Sequence, residues 1–130
     1  DRLSSTAELA GVSLALRKGS ARVLQLDPVR IDRALHNLVR NAIEAAPRGG
    51  HVVVSTRDDP HSTVAVVDDD GPGIPRELRS RIFSAGFSTK ELGWGIGLPL
   101  ARRIVEEGHR GRLQLTPSDR GAVFDVILPG

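Results

Sequence analysis

One helix in this sequence has clear ends, and runs of β-branched residues come in pairs on either side of it. Asp27 suits an N-cap, because its carboxylate can accept N–H groups that the first turn leaves unpaired, and Pro28 suits the first helical position. Pro47, Gly49 and Gly50 stop the helix after about Ala46. Ile31, Leu35, Leu38 and Ala42 share one face and form the predicted core stripe. Before this helix, residues 12–16 alternate weakly, as a half-buried strand does, and Lys18-Gly19-Ser20 turns the chain toward a hairpin partner at 23–26. After it, residues 51–56 and 63–67 are β-branched runs joined by a turn at Asp58-Asp59-Pro60. Then follow a short helix from Pro75 to about Phe83, a polar, glycine-containing loop, and a helix from about Gly97 to Glu107 ended by Gly108. Residues 113–116 and 122–128 read as the last strands, around a turn at 117–121, whereas residues 1–10 carry little pattern. Strand pairs separated by helices predict an α/β (α+β) fold: a two-layer sandwich with a mixed, mostly antiparallel five-stranded sheet and three main helices on one face.

Composition narrows the function. At 130 residues the chain is expected to be one domain with a core of its own. With no cysteine there is no disulfide framework, zinc-thiolate site or cysteine nucleophile. No apolar run approaches the ~20 residues of a membrane span, and no signal-peptide pattern opens the chain. Opening on Asp1 rather than Met, it reads as a fragment or a processed product. Basic residues outnumber acidic ones by only 18 to 16, and the arginines are interleaved with acids without a basic stripe or aromatic platform, so nucleic acid is not the expected partner.

The aromatics and glycines are unevenly placed. There is no Tyr, and Phe83, Phe87 and Trp94 crowd the same stretch as Gly71, Gly73, Gly86, Gly93, Gly95 and Gly97. Four segments in and around this stretch carry chemistry. On the central helix, Asn37, Asn41 and Glu44 fall at i, i+4, i+7 beside the apolar stripe. Asparagine is a mediocre helix former, so two on one stripe suggest a need for amide oxygens, which suit Mg²⁺; a solvated polar face is the plainer alternative. At the end of the second strand pair, Asp68-Asp69-Asp70-Gly71-Pro72-Gly73-Ile74 joins carboxylates to a glycine turn that lets a ligand approach the backbone. A carboxylate there can accept a hydrogen bond from an exocyclic amine, although the segment also fits a simple turn; the spacing of a helix–loop–helix calcium site is absent. Gly93-Trp94-Gly95-Ile96-Gly97-Leu98 opens the last helix, where backbone N–H groups can hold an anion such as phosphate, or where the glycines simply hinge. It is neither the dinucleotide fingerprint nor a P-loop. Between these lies Ile82-Phe83-Ser84-Ala85-Gly86-Phe87-Ser88-Thr89-Lys90, in which Phe83 suits the core, Phe87 and Trp94 suit a lid or partner contact, and Lys90 offers a point charge for a phosphate.

In their order and spacing these segments resemble the ATP-binding catalytic domain of sensor histidine kinases, within the superfamily built on the Bergerat ATP-binding fold. The Asn37–Asn41 segment resembles the family's N box, residues 69–74 its first glycine box, residues 82–90 its F box, residues 93–98 its second glycine box, and residues 121–129 its closing strand. The resemblance spans residues 11 to 130 and implies ATP and Mg²⁺ as ligands. It implies that Asn41 coordinates Mg²⁺, with Asn37 one turn earlier, and that Asp69 accepts the adenine amino group. It further implies that Gly71, Gly73 and Ile74 shape the base pocket, and that Lys90, Gly93, Gly95, Gly97 and Leu98 serve the phosphates. Residues 84–93 would be the ATP lid, with Phe83, Phe87, Ser88, Thr89 and Trp94 as lid or partner contacts. Residues 1–10 would be the end of a linker from a dimerisation and phosphoacceptor domain.

Some positions depart from the family pattern. Glu44 stands where many members carry a basic residue, and Phe83-Ser84-Ala85-Gly86 replaces Phe-Glu-Pro-Phe. ATP-hydrolysing cousins carry a Glu as general base where this chain has Asn37, which cannot take a proton; that favours transfer to a protein over hydrolysis. The family's acceptor histidine lies on the separate domain, and His36, His51, His61 and His109 do not fit that role. The resemblance thus implies a cytoplasmic protein-histidine kinase module, itself monomeric, partnered by the acceptor domain of its parent protein and indirectly by a response regulator. The parent can still be membrane-anchored. An anti-sigma-factor-type serine kinase and a degenerate nucleotide-sensing module are the alternatives on the same fold.

Overall fold

The computed structural model describes residues 7–17, 27–71, 98–116 and 121–129. They form five strands, β1 (Ser13–Arg17), β2 (His51–Asp59), β3 (Ser62–Asp69), β4 (Arg112–Thr116) and β5 (Val123–Pro129), and two long helices, α1 (Pro28–Ala45) and α2 (Leu98–His109). The sequence-predicted strand at 23–26, the helix at 75–83 and the lid at 84–93 lie outside the described residues.

The cap of α1 is built as its sequence dictates: the Asp27 carboxylate accepts the N–H groups of Val29 and Arg30, both at 3.2 Å, and Pro28 occupies the first turn. The helix buries Ile31, Ala34, Leu38, Val39, Ala42, Ile43 and Ala45, while Leu35 is only half-buried. The sheet order is β1-β2-β3-β5-β4, antiparallel except for the parallel pair β1–β2. Cross-strand partners share a face. Val52 and Val54 therefore line up with Val67, Ala65, Phe124, Val126, Leu113 and Leu115, and this face carries the core shared with α1 and α2. Both helices lie on it, which gives the two layers. Each fully buried aliphatic side chain contributes about 2 kcal/mol to holding them there.

Several boundaries differ from the sequence expectation. The β2–β3 hairpin extends through Asp58 and Asp59, so the turn tightens to Pro60-His61. Ladder pairing of Asp58 with Thr63, reinforced by the Thr63 hydroxyl donating to the Asp58 carboxylate at 3.0 Å, keeps these polar residues extended. Asp69, beyond the strand expected at 63–67, is the last residue of β3. Residues 7–10 form a helical turn whose Ala7 is buried.

The helix α2 runs through Gly108 to His109 instead of ending at Gly108. Arg110 takes the left-handed turn at φ 56°, and the Gly111 N–H returns to the Val105 carbonyl at 2.9 Å. Glycine is reserved for position 111 because a Cβ there would sit 2.3 Å from the Ile127 carbonyl oxygen.

Candidate functional site

The C-terminal end of β3 is held by two carboxylates acting as substitutes for backbone carbonyls. A hydrogen-bonded antiparallel pair exchanges two main-chain bonds. At the rung where Asp69 faces Ala122, the Asp69 N–H donates to the Ala122 carbonyl at 3.0 Å, but the Ala122 N–H donates to Asp69 Oδ1 at 3.3 Å. One rung later, on the other edge, the Asp70 N–H donates to the His51 carbonyl at 3.3 Å and the His51 N–H donates to Asp70 Oδ1 at 2.8 Å. Each side chain takes the place of its own carbonyl, so the chain can leave the sheet while its neighbours stay paired.

Asp69 Oδ1 also accepts the Gly71 N–H at 2.8 Å, closing the turn that follows. Asp69 is 2 % exposed, and its Oδ2 has no hydrogen-bond partner among the described residues. Burial pushes its pKa up to about 6; the bonds from Gly71 and Ala122 oppose this, and the nearby Asp68 and Asp70 charges add to it. Burial alone would raise Asp70 as well, but the His51 N–H and imidazole hold it below the ordinary carboxylate value.

Two glycines let other elements approach this turn. A Cβ on Gly71 would lie 2.6 Å from the Ala45 carbonyl oxygen, and one on Gly121 would lie 1.8 Å from the Asp69 carbonyl oxygen. Gly71 thus rests against the last turn of α1, and Gly121, at φ +67°, is wrapped on Asp69.

Asn41 lies one turn before Ala45, on the same side of α1. It is fully buried, and both atoms of its amide lack a partner among the described residues. A buried unmet amide costs about 1–3 kcal/mol. The predicted stripe resolves into a gradient: Asn41 is buried, Asn37 half-buried and Glu44 exposed. A neutral amide oxygen is a hard donor suited to Mg²⁺, and an unpaired carboxylate oxygen suits a ligand N–H.

Leu98 is buried and anchors the first turn of α2 in the core, where the opening N–H groups of a helix have no intrahelical acceptor. Gly73, Ile74, Phe83, Phe87, Ser88, Thr89, Lys90, Gly93, Trp94, Gly95 and Gly97 lie outside the described residues. Sequence reasoning gave Ala45, His51 and Ala122 no role in the site, and it named Asp70 only as a member of the acidic turn. Their roles rest on backbone atoms or on pairing across the sheet; only the glycine at 121, before a β-branched run, offered a signal.

The chain matches the family described as histidine kinase-, DNA gyrase B-, and HSP90-like ATPase over residues 26–130. It is 39% identical over 104 residues to sporulation kinase C of Bacillus subtilis (strain 168), covering 79% of this chain and 24% of that protein. To the sensory histidine kinase/phosphatase NtrB of Escherichia coli O157:H7 it is 35% identical over 114 residues, covering 79% of this chain and 32% of that one. It therefore spans about a quarter to a third of the length of these two curated relatives. Among solved structures, the nucleotide-free catalytic domain of histidine kinase ThkA superposes with a TM-score of 0.88 at 31% identity, covering 98% of this chain and 85% of that one. ThkA in complex with the response regulator protein TrrA superposes at 0.83 and 29% identity, over 98% of this chain and 37% of that one.

Proposed function

This chain belongs to the histidine kinase-, DNA gyrase B-, and HSP90-like ATPase family, and from that premise we propose that it is the ATP-binding catalytic domain of a two-component sensor histidine kinase. Family membership carries ATP binding with it. The observation that supports the finer reading is that two buried polar groups are unmet among the described residues, Asp69 Oδ2 at the end of β3 and the Asn41 amide one turn before Ala45, the residue whose carbonyl Gly71 rests against.

In this reading the ionised Asp69 Oδ2 accepts the adenine amino group, and Gly71 and Gly73 keep the base pocket open with Ile74 against the ring. Asn41, with Asn37 one turn earlier, faces the phosphates; the unmet amide oxygen fits a Mg²⁺ ion, which when bound supplies charge balance for the triphosphate. Lys90 and the backbone N–H groups of Gly93, Gly95, Gly97 and Leu98 hold the phosphates beneath a lid at 84–93, with Phe83, Phe87, Ser88, Thr89 and Trp94 meeting the lid or the acceptor domain.

The reaction is transfer of the γ-phosphoryl to a histidine on the parent protein's dimerisation domain. A nitrogen–phosphorus bond forms, the bond to the β,γ-bridging oxygen breaks, and ADP leaves. Placement in line and charge balance supply the rate enhancement. Asn37 cannot act as a base toward water, which favours transfer over hydrolysis. The phosphoryl group then passes to a response regulator. ATP supply places this step in the cytoplasm, whether or not the parent protein is membrane-anchored.

The test is Mg²⁺-dependent ATP binding by calorimetry together with labelling of an added dimerisation domain by γ-labelled ATP. Asn41→Ala and Asp69→Ala are expected to abolish labelling, and the wild-type label is expected to be acid-labile and alkali-stable. Normal labelling by both variants would overturn the assignment, and an acid-stable label would replace it with a serine kinase.

A further inference from the structure

We propose that Asp70 is a positioning residue for adenine recognition, one that sets the direction of the Asp69 carboxylate by locking the end of β3 to the start of β2; this rests on the reading of Asp69 as the adenine acceptor. Asp69 is suspended between two edges. On the β5 side its own Oδ1 takes the Ala122 N–H at 3.3 Å. On the β2 side the anchor is supplied by Asp70, whose Oδ1 takes the His51 N–H at 2.8 Å while its Oδ2 meets His51 Nδ1 at 3.2 Å. The main chain completes the clamp, the Asp70 N–H donating to the His51 carbonyl at 3.3 Å.

The seat for the Asp70 carboxylate is shaped for it, because a Cβ on Gly50 would lie 2.6 Å from Asp70 Oδ1. Gly50 also carries the parallel β1 contact through the Ser13 N–H to its carbonyl at 3.0 Å. Asp70 therefore ties the Asp69–Gly71 turn to a segment already fixed on its far side. Without that side-chain tie, the turn keeps its main-chain bonds to Ala122 and His51, but the Asp69 carboxylate itself is held among the described residues only at Oδ1, by the Ala122 and Gly71 N–H groups. The carboxylate could then pivot about Oδ1, and the free Oδ2 would lose its aim. Base recognition by one oxygen is sensitive to such a pivot, whereas phosphate contacts farther along the nucleotide are not.

The experiment measures ATP and GTP affinities of the folded chain by calorimetry for the wild type, Asp69→Ala, Asp70→Ala, Asp70→Asn and Asp70→Glu. Asp70→Ala is expected to weaken ATP about tenfold, one hydrogen bond's worth of orientation, while leaving GTP unchanged, so the ATP:GTP ratio falls. Asp70→Asn keeps an acceptor for the His51 N–H and should restore most of the ratio. Asp70→Glu keeps the charge but is too long to replace its own carbonyl, so it should behave as Asp70→Ala and serves if the alanine variant does not fold. If the wild type does not bind ATP, or Asp69→Ala binds it equally well, the reading of Asp69 falls and this proposal with it. If Asp69→Ala loses ATP but the Asp70 variants keep the wild-type ratio, or lose ATP and GTP in equal measure, the positioning role alone is overturned.

Discussion

His109 Nε2 accepts the backbone N–H of Asp27 at 2.9 Å, joining the last residue of α2 to the N-cap of α1 across 82 positions of sequence. Its Nδ1 lies 2.9 Å from the Ile104 carbonyl, so the network requires the neutral tautomer with the proton on Nδ1. One imidazole thus finishes one helix and fixes the start of the other. His109→Ala should lower stability by about 1–2 kcal/mol, the worth of two hydrogen bonds together with a part-buried ring. Urea unfolding measures this. An unchanged midpoint would show that water replaces the ring at no cost.

The glycines divide into those that serve a turn and those that serve the site. Gly49 has φ +88° with nothing within 4 Å of an added Cβ. Gly49→Ala should therefore cost only the left-handed backbone term, about 1 kcal/mol. Gly121 has φ +67° and its Cβ would collide with the Asp69 carbonyl. Gly121→Ala should cost at least about 3 kcal/mol, and any folded fraction should bind ATP weakly because Asp69 has been displaced. Thermal unfolding of the two variants side by side checks the contrast; equal losses would contradict it.

The same distinction explains what could be read from the sequence. The α1 cap was legible because Asp27, Pro28 and the two N–H groups they serve are neighbours in the chain. Asn41 stood out because asparagine is a mediocre helix former and two of them share one stripe; that Asn41 alone is fully buried could not be read from the spacing. The β1–β2 pairing was not: local turn residues at 18–20 favour a hairpin partner, while the observed parallel neighbour arrives only after α1. The reach of β2 through Asp58 and Asp59 was hidden for a similar reason, since the residues that keep it extended lie on β3. Gly121 and Asp69 are brought together by the sheet; the glycine marks a turn in the sequence but does not say which residue it turns against. Arg110 in the left-handed conformation is the sharpest reversal, for the glycine beside it was needed to admit the Ile127 carbonyl.

Asn41 should show a trade between stability and binding. Its amide is fully buried without a partner among the described residues. Asn41→Leu is similar in volume and removes both unmet atoms, so the nucleotide-free chain should gain about 1 kcal/mol in urea unfolding. The same variant should lose Mg²⁺-dependent ATP binding in calorimetry. A destabilised nucleotide-free variant would mean that the amide is already satisfied before nucleotide arrives.

Asp69 should impose opposite pH dependences on folding and on binding. Its pKa is about 6 in the fold against an ordinary 3.8, so the folded chain holds this proton more tightly than the unfolded one. The stability it contributes is fully present below pH 3.8 and is lost as the pH rises through about 6, a swing of up to about 3 kcal/mol. Accepting the adenine amino group needs the ionised form, so ATP affinity should be full above pH 6 and fall about tenfold for each unit below it. Other carboxylates and the nucleotide's own phosphates titrate nearby, and the control for them is Asp69→Asn, which keeps the shape and cannot ionise. The difference between wild type and Asp69→Asn isolates the effect in both urea unfolding and calorimetry. Parallel pH profiles for the two proteins would show that Asp69 is not the titrating acceptor. A binding difference that rises with pH around 6, beside a stability difference that falls between pH 3.8 and about 6, would show that the same Asp69 proton governs both.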